Sequence, residues 1–198
     1  MITQKHLIQF AAVFLLLVVC IGNTYATPIP WIKHEGKFLT FIKNNPVIKR
    51  NLKLIKKIGE EVGNPETLQA MSLQETMGGT NLNNHKSHGI MQVQVVAARS
   101  VFKKSPTLLH RYFPKRKNIS NGDIIRLLRT NNEANIRIAA HHFKNYSELS
   151  KNWSTAVAAY NVGIGGVKNV RDPVHHEYVE KVRYWLIKYV RPFNSSNI

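Results

Sequence analysis

One carboxylate stands alone in a long acid-free stretch of this sequence. Glu75 closes the run Leu68-Gln-Ala-Met-Ser-Leu-Gln-Glu75-Thr76-Met-Gly78-Gly79, and the next Asp or Glu is Asp123. Leu68, Met71, Ser72 and Glu75 stand three and four residues apart, so a helix puts them on one face. Asn64 is a candidate N-cap, Pro65 fits the first helical position, and Gly78 with Gly79 offers a stop. Glu75 then falls in the last turn, beside the inward stripe. Burial raises a carboxyl pKa, and the negative end of the helix dipole acts in the same direction. A carboxyl held this way keeps its proton near neutral pH and can serve as a general acid. A surface glutamate at a frayed helix end would carry the same local sequence, so position alone does not decide between them.

The elements that must hold Glu75 read as helices. Ile48, Leu52, Ile55, Ile58 and Val62 give residues 47–62 an apolar face and a lysine-rich outer one. The polar stretch Thr80–Gly89 leads into Ile90-Met-Gln-Val, where a minimal β or extended segment fits residues 80–94, with helix from about Val95. Residues 105–120 form a basic connection with a helical turn or two at Thr107–Tyr112. Ser120-Asn-Gly-Asp123 starts a helix, and Asn132 starts a longer one with Ile136, Ala139, Ala140 and Phe143 on one face. Ser154–Asn161 is a small-residue helix suited to close packing, ended by Gly163. The last helix runs from about His176 to Val190, its face carrying Tyr178, Val182, Trp185 and Tyr189, and Pro192 ends it. The expected fold is mainly α, a single helical domain at 47–192. Residues 27–46 form an irregular lead-in with one short helix at His34–Lys43, and residues 193–198 a loose tail.

Residues 1–26 read as a signal peptide or a retained N-terminal anchor. Lys5 precedes an apolar run from Leu7 to Ile21, and Thr24-Tyr25-Ala26 has the small-residue pattern of a cleavage site. The lone Cys20 lies in that run behind Val19, which is not the small residue a lipid-anchor site wants. Its removal leaves a chain without disulfides, which permits an oxidising compartment without demonstrating one. Lys and Arg number 28 against 11 Asp and Glu, a net charge of +17. The partner is therefore polyanionic. An export signal favours an anionic cell envelope over nucleic acid, and no zinc-finger spacing, RNA motif or DNA-reading helix is present.

Three patches follow Glu75-Thr76: Gly89-Ile90-Met91-Gln92, Ala159-Tyr160-Asn161-Val162-Gly163 and Tyr178-Val179, with Asn135-Ile136 between the first two. Singly each is ordinary: a tyrosine in an Ala-rich helix is usually core with a satisfied hydroxyl. Together, in this order, they resemble the soluble lytic transglycosylase family of the lysozyme-like superfamily. The resemblance covers residues 55–190, and in size the chain is similar to small exported members that accompany secretion or conjugation machines. Thr76 stands where the family has Ser and Ile90 where it has Leu. The usual Pro-x-Thr after Met-Gln is Val95-Val96-Ala97.

The resemblance implies a lysozyme-like fold, peptidoglycan as substrate and a periplasmic or exported location. It makes Glu75 the general acid and base that cleaves between N-acetylmuramate and N-acetylglucosamine, with 1,6-anhydromuramoyl ends as product. It gives Thr76 and Gln92 hydrogen bonds to the sugar, Met91 a place in the cleft floor, and Tyr160 and Asn161 the lining of the catalytic subsite. Tyr178 would set the rotamer and protonation of Glu75. The residues agree independently: two-carboxylate hydrolysis needs a second acid, and the loop after Glu75 offers Thr80, Asn81, Asn83, Asn84 and Ser87 instead. One carboxylate suffices where the sugar supplies its own hydroxyl, with the advantage of intramolecular attack.

No cofactor or metal is expected. His85 and His88 are three apart in a loop, His141-His142 and His175-His176 are adjacent pairs, and no His-Glu-x-x-His string occurs. Two rivals remain at this level: a silent wall-binding or assembly protein that has kept the cleft, and a basic nucleic-acid-binding helical domain.

Overall fold

The computed structural model of the chain describes residues 35–82, 86–116, 118–150 and 152–196. The expected leader at 1–26 and the loop residues Asn83, Asn84 and His85 lie outside these. Leu39–Ile198 forms the compact unit that carries the site. The described helices run α1 (Glu35–Asn44), α2 (Pro46–Val62), α3 (Pro65–Thr76), α4 (Val95–Lys104), α5 (Pro106–Tyr112), α6 (Asn121–Thr130), α7 (Asn132–Ser150), α8 (Trp153–Val167) and α9 (Glu177–Trp185). A π-helical turn at Leu186–Val190 and a last short helix, α10 (Arg191–Ser195), complete them. The mainly helical expectation holds. Among the described residues the only β pairing is one antiparallel bridge between His88 and Val93, so residues 88–93 close as a tight loop and the expected β segment is reduced to that bridge.

The centre of the fold is α3, packed against α2, α9 and the π-helical turn. It does not have one buried face. Thr67, Leu68, Gln69, Ala70, Met71, Ser72, Leu73 and Thr76 are all buried, as in a helix with neighbours all round. Its polar side chains are satisfied inside the protein, as burial demands. Gln69 Nε2 donates to Leu52 O at 3.0 Å, and Ser72 Oγ to Gln69 O at 2.8 Å. Trp153 Nε1 donates to Thr67 Oγ1 at 3.0 Å. Helix α2 comes close because residue 59 is glycine: a Cβ there would lie 2.5 Å from Pro65 Cα.

Both ends of α3 differ from the sequence expectation. Asn64 makes no side-chain cap, and its amide turns back to Val62 O at 3.4 Å. The left-handed residue that ends the helix is Met77, at φ 54°, ahead of Gly78 at φ 64°. The turn is held by Met77 N to Leu73 O and Gly78 N to Ser72 O, each 3.0 Å.

Gly163 (φ 77°, ψ 159°) breaks the helical backbone of α8 as expected, and a second helical stretch follows it as far as Val167. The other expected stop is not one. Pro192 lies in the first turn of α10, where a missing N–H leaves no bond unmade. Residues 193–195, read as the start of a loose tail, are helical, and Asn194 Nδ2 donates to Gln69 Oε1 at 2.9 Å. The short helix of the lead-in is present as α1, and residue 46 already belongs to α2, capped by Asn45.

Candidate active site

The site is a loop suspended from three helices, facing the end of α3. His88 and Val93 pair through two backbone bonds of 3.0 Å, and Gln92 N donates to Gly89 O at 3.0 Å. Gly89, at φ 72°, lies so close to α6 and α7 that a Cβ would sit 2.3 Å from Leu128 O and 2.4 Å from Asn135 Nδ2. Only glycine fits there. From α3, Thr76 Oγ1 donates to Ile90 O at 2.7 Å. From α7, the fully buried Asn135 accepts Met91 N on Oδ1 at 2.8 Å and donates Nδ2 to His88 O at 2.8 Å. From α8, Tyr160 donates its hydroxyl to Met91 O at 2.8 Å.

Glu75 is the residue before Thr76, so it leaves α3 in another direction. Tyr178, on α9, donates its hydroxyl to Glu75 Oε1 at 2.6 Å. Burial lifts the Glu75 pKa from its ordinary 4.5 to about 7, while the Tyr178 hydrogen bond works against that rise. Burial, then the Glu75 charge, holds the hydroxyls of Tyr160 and Tyr178 well above the ordinary tyrosine value, so both remain donors.

Glu75 opens into a cleft of about 570 Å³ between the loop, α4, α7 and α8. Gln92, Tyr160 and Asn161 line it with Glu75, as does Val96 of α4. No other acidic side chain lines it among the described residues. Gln92, held at φ 49°, donates Nε2 to Gly89 O at 2.9 Å and leaves Oε1 without a protein partner.

Thr76, expected at the sugar, and Met91, expected in the cleft floor, sit behind the wall instead, while Tyr178 meets Glu75 as expected. Thr76 is 1% exposed, and its one proton is committed to Ile90 O while its oxygen accepts Gly79 N at 2.9 Å. It holds the loop. Met91 is fully buried and supports the floor from beneath. Tyr178 is buried and reaches the site through its hydroxyl alone.

Among the lining residues that sequence reasoning missed are His142 and Tyr146 of α7. Their rings lie 4.5 Å apart, and His142 is 5.8 Å from the Tyr160 ring. Burial, then the Lys104 charge, pulls the His142 pKa down to about 4, so the imidazole is neutral at pH 7. Asn135, His142 and Tyr146 stand at i, i+7 and i+11, a helical-face spacing that could have found them. Among the described residues, no group of three or more His, Cys, Asp or Glu is placed to hold a metal ion.

The family model described as the transglycosylase SLT domain matches residues 54–181, most of the helical unit and every residue of the cleft wall named above. Neither the curated proteins nor the solved structures compared with the chain give a match.

A buried carboxyl with a raised pKa makes stability depend on pH. Its contribution is fully present below the unfolded value of 4.5 and is lost as pH rises through about 7. Glu75→Gln cannot ionise. Its melting temperature relative to the parent should rise between pH 4.5 and 8, reaching about 3 kcal/mol of relative stabilisation. A difference that stays flat across that range would place Glu75 in water.

Proposed function

The chain belongs to the transglycosylase SLT domain family, a lysozyme-like helical family of lytic transglycosylases acting on peptidoglycan, and from that premise we propose the specific reaction of this protein. Glu75 cleaves the β-1,4 bond from N-acetylmuramate to N-acetylglucosamine without water. The protonated Glu75 carboxyl gives its proton to the glycosidic oxygen, and the C1–O bond breaks with its electron pair leaving on that oxygen. The carboxylate then removes the proton of the muramoyl C6 hydroxyl. The C6 oxygen bonds to C1, closes the 1,6-anhydro ring and leaves Glu75 protonated again.

The observation that carries this reading is that Glu75 is the sole acidic lining of the cleft among the described residues and has a pKa of about 7. A general acid that must become a general base works best with a pKa near the operating pH. Burial supplies the acid form, and Tyr178 stabilises the carboxylate that follows. Gln92 and Asn161, both in the cleft wall, suit contacts to the sugar. Thr76, Met91 and Asn135 act one step back, by fixing the loop that carries Gln92.

The proposal includes placement. The apolar run at Leu7–Ile21 supports export to the periplasm or envelope, cleaved or anchored, and the size suits service to a secretion or conjugation apparatus. The outer face of α2, with Lys49, Arg50, Lys53 and Lys57 exposed, supports attachment to an anionic envelope surface.

Digestion of sacculi followed by mass spectrometry of the muropeptides tests the reaction. The expected products end in 1,6-anhydromuramate, and Glu75→Gln lowers turnover at least about a hundredfold while wall binding persists. Products carrying a full water increment would restore hydrolysis. Wall binding without turnover in the parent would favour a silent assembly protein, and salt-sensitive DNA affinity without turnover a nucleic-acid-binding domain. Cosedimentation with sacculi should fall between low and about 0.5 M salt, as exposed charges are screened, and Lys53, Lys56 and Lys57 changed to Gln should reproduce the loss. Binding indifferent to both would remove α2 as the attachment face.

A further inference from the structure

A second cavity, of about 340 Å³, opens where α2, the end of α4 and α7 meet. Its charged wall is uneven. Three cations, Lys104, Arg137 and Lys144, face two carboxylates, Glu61 and Glu148. Both carboxylates are already engaged. Glu61 Oε1 accepts Arg137 Nη2 at 3.1 Å, and Lys144 bridges Glu148 one turn along α7. Arg137 also donates Nε to Glu133 Oε1 at 2.8 Å. Lys104 is left with no carboxylate partner among the described residues.

The neutral groups beside Lys104 have the same character. The Asn145 amide, the Ser105 hydroxyl and the His141 ring line the cavity, and none makes a side-chain hydrogen bond to another described residue. One ammonium with an amide and a hydroxyl is a donor set for a singly charged oxyanion.

The cavity lies next to the cleft along α4 and α7. Ser100, on the cleft wall, and Lys104 are one turn apart on the same face of α4, about 6 Å along its axis. On α7, His142 and Tyr146 line the cleft while their neighbours His141 and Asn145 line the cavity. The Lys104 charge is close enough to His142 to help keep its ring neutral.

We propose that this cavity is a subsite for a free carboxylate of the peptide borne by the glycan in the Glu75 cleft, with Lys104 as its counter-ion. The proposal rests on peptidoglycan being the substrate. Wall peptides are attached at the muramate whose bond is cut, and two extended residues at roughly 3.3 Å each cover the step along α4 from Ser100 on the cleft wall to Lys104. Glycans with free peptide carboxylates are thereby preferred over the same glycans with amidated peptides.

The test measures KM and kcat of the full chain on three soluble glycans: one with free peptide carboxylates, one with the same peptides amidated, one without peptide. The parent should show its lowest KM on the first. Lys104→Gln should raise that KM about tenfold, the order expected for one charge-assisted hydrogen bond, and leave kcat and the other two substrates unchanged. Lys104→Arg should restore it. Equal effects on all three glycans, or none, would overturn the subsite. If the parent cleaves none of the three, the reaction proposed above has failed. The subsite is then read by binding, from the Asn145 side-chain amide resonance on addition of the free peptide, its amidated form or inorganic phosphate. A saturable shift with the free peptide alone upholds it. A shift with phosphate alone, or with none of the three, overturns it.

Discussion

A carboxyl group at the end of a helix buried on all sides has little water to stabilise its charge, and the site follows from that constraint. Helix α3 is surrounded by α2, α9 and the π-helical turn, so Glu75 emerges only where the last turn meets the cleft. Desolvation raises its pKa by more than the Tyr178 hydrogen bond lowers it. The two effects leave a group poised near neutrality. Burial without Tyr178 would make a strong proton holder and a poor base. Tyr178 without burial would leave an ordinary carboxylate.

The same helix end sets the geometry opposite Glu75. Adjacent residues point different ways: Glu75 into the cleft, and Thr76 onto Ile90 O. One helix terminus therefore positions the acid and anchors the loop that faces it. The remaining anchors come from α7 through Asn135 and from α8 through Tyr160. Those bonds pair buried backbone groups that would otherwise be left unpaired, at a penalty of about 1–3 kcal/mol each. They also fix Gln92 in a left-handed conformation that a non-glycine residue seldom adopts unaided.

Local signals in the sequence were legible because they act locally. The period of α2, Pro65 at the start of α3 and the Ser120–Asp123 capping box each mark an element that the structure contains. Glu75, Gln92, Tyr160 and Asn161 reach one cleft, as their motifs implied. What escaped was set by tertiary surroundings. A three-and-four spacing gives α3 one inner face, whereas neighbours on every side bury the others, including Gln69 and Thr67. Thr76 has the right type for a sugar contact, but its proton is taken by Ile90 O. Pro192 terminates a helix only if it falls inside one, and here it falls in a first turn. His142, weighed only as a metal ligand, and Tyr146 escaped because their face of α7 meets the cleft only after α4 and α8 have packed beside it. The scarcity of acids between Glu75 and Asp123 was visible in the chain. That Glu133, Glu177 and Glu180 also stay off the cleft wall required the fold.

The central claim is that burial, tempered by one tyrosine, sets the protonation of Glu75. It is tested most directly by NMR titration of the Glu75 side-chain carboxyl carbon in protein labelled with 13C-glutamate, assigned by comparison with Glu75→Gln. The account predicts a midpoint at about pH 7, moving higher in Tyr178→Phe because the hydrogen bond that favours the carboxylate is gone. A midpoint near 4.5, unchanged when the Tyr178 hydroxyl is removed, would contradict it.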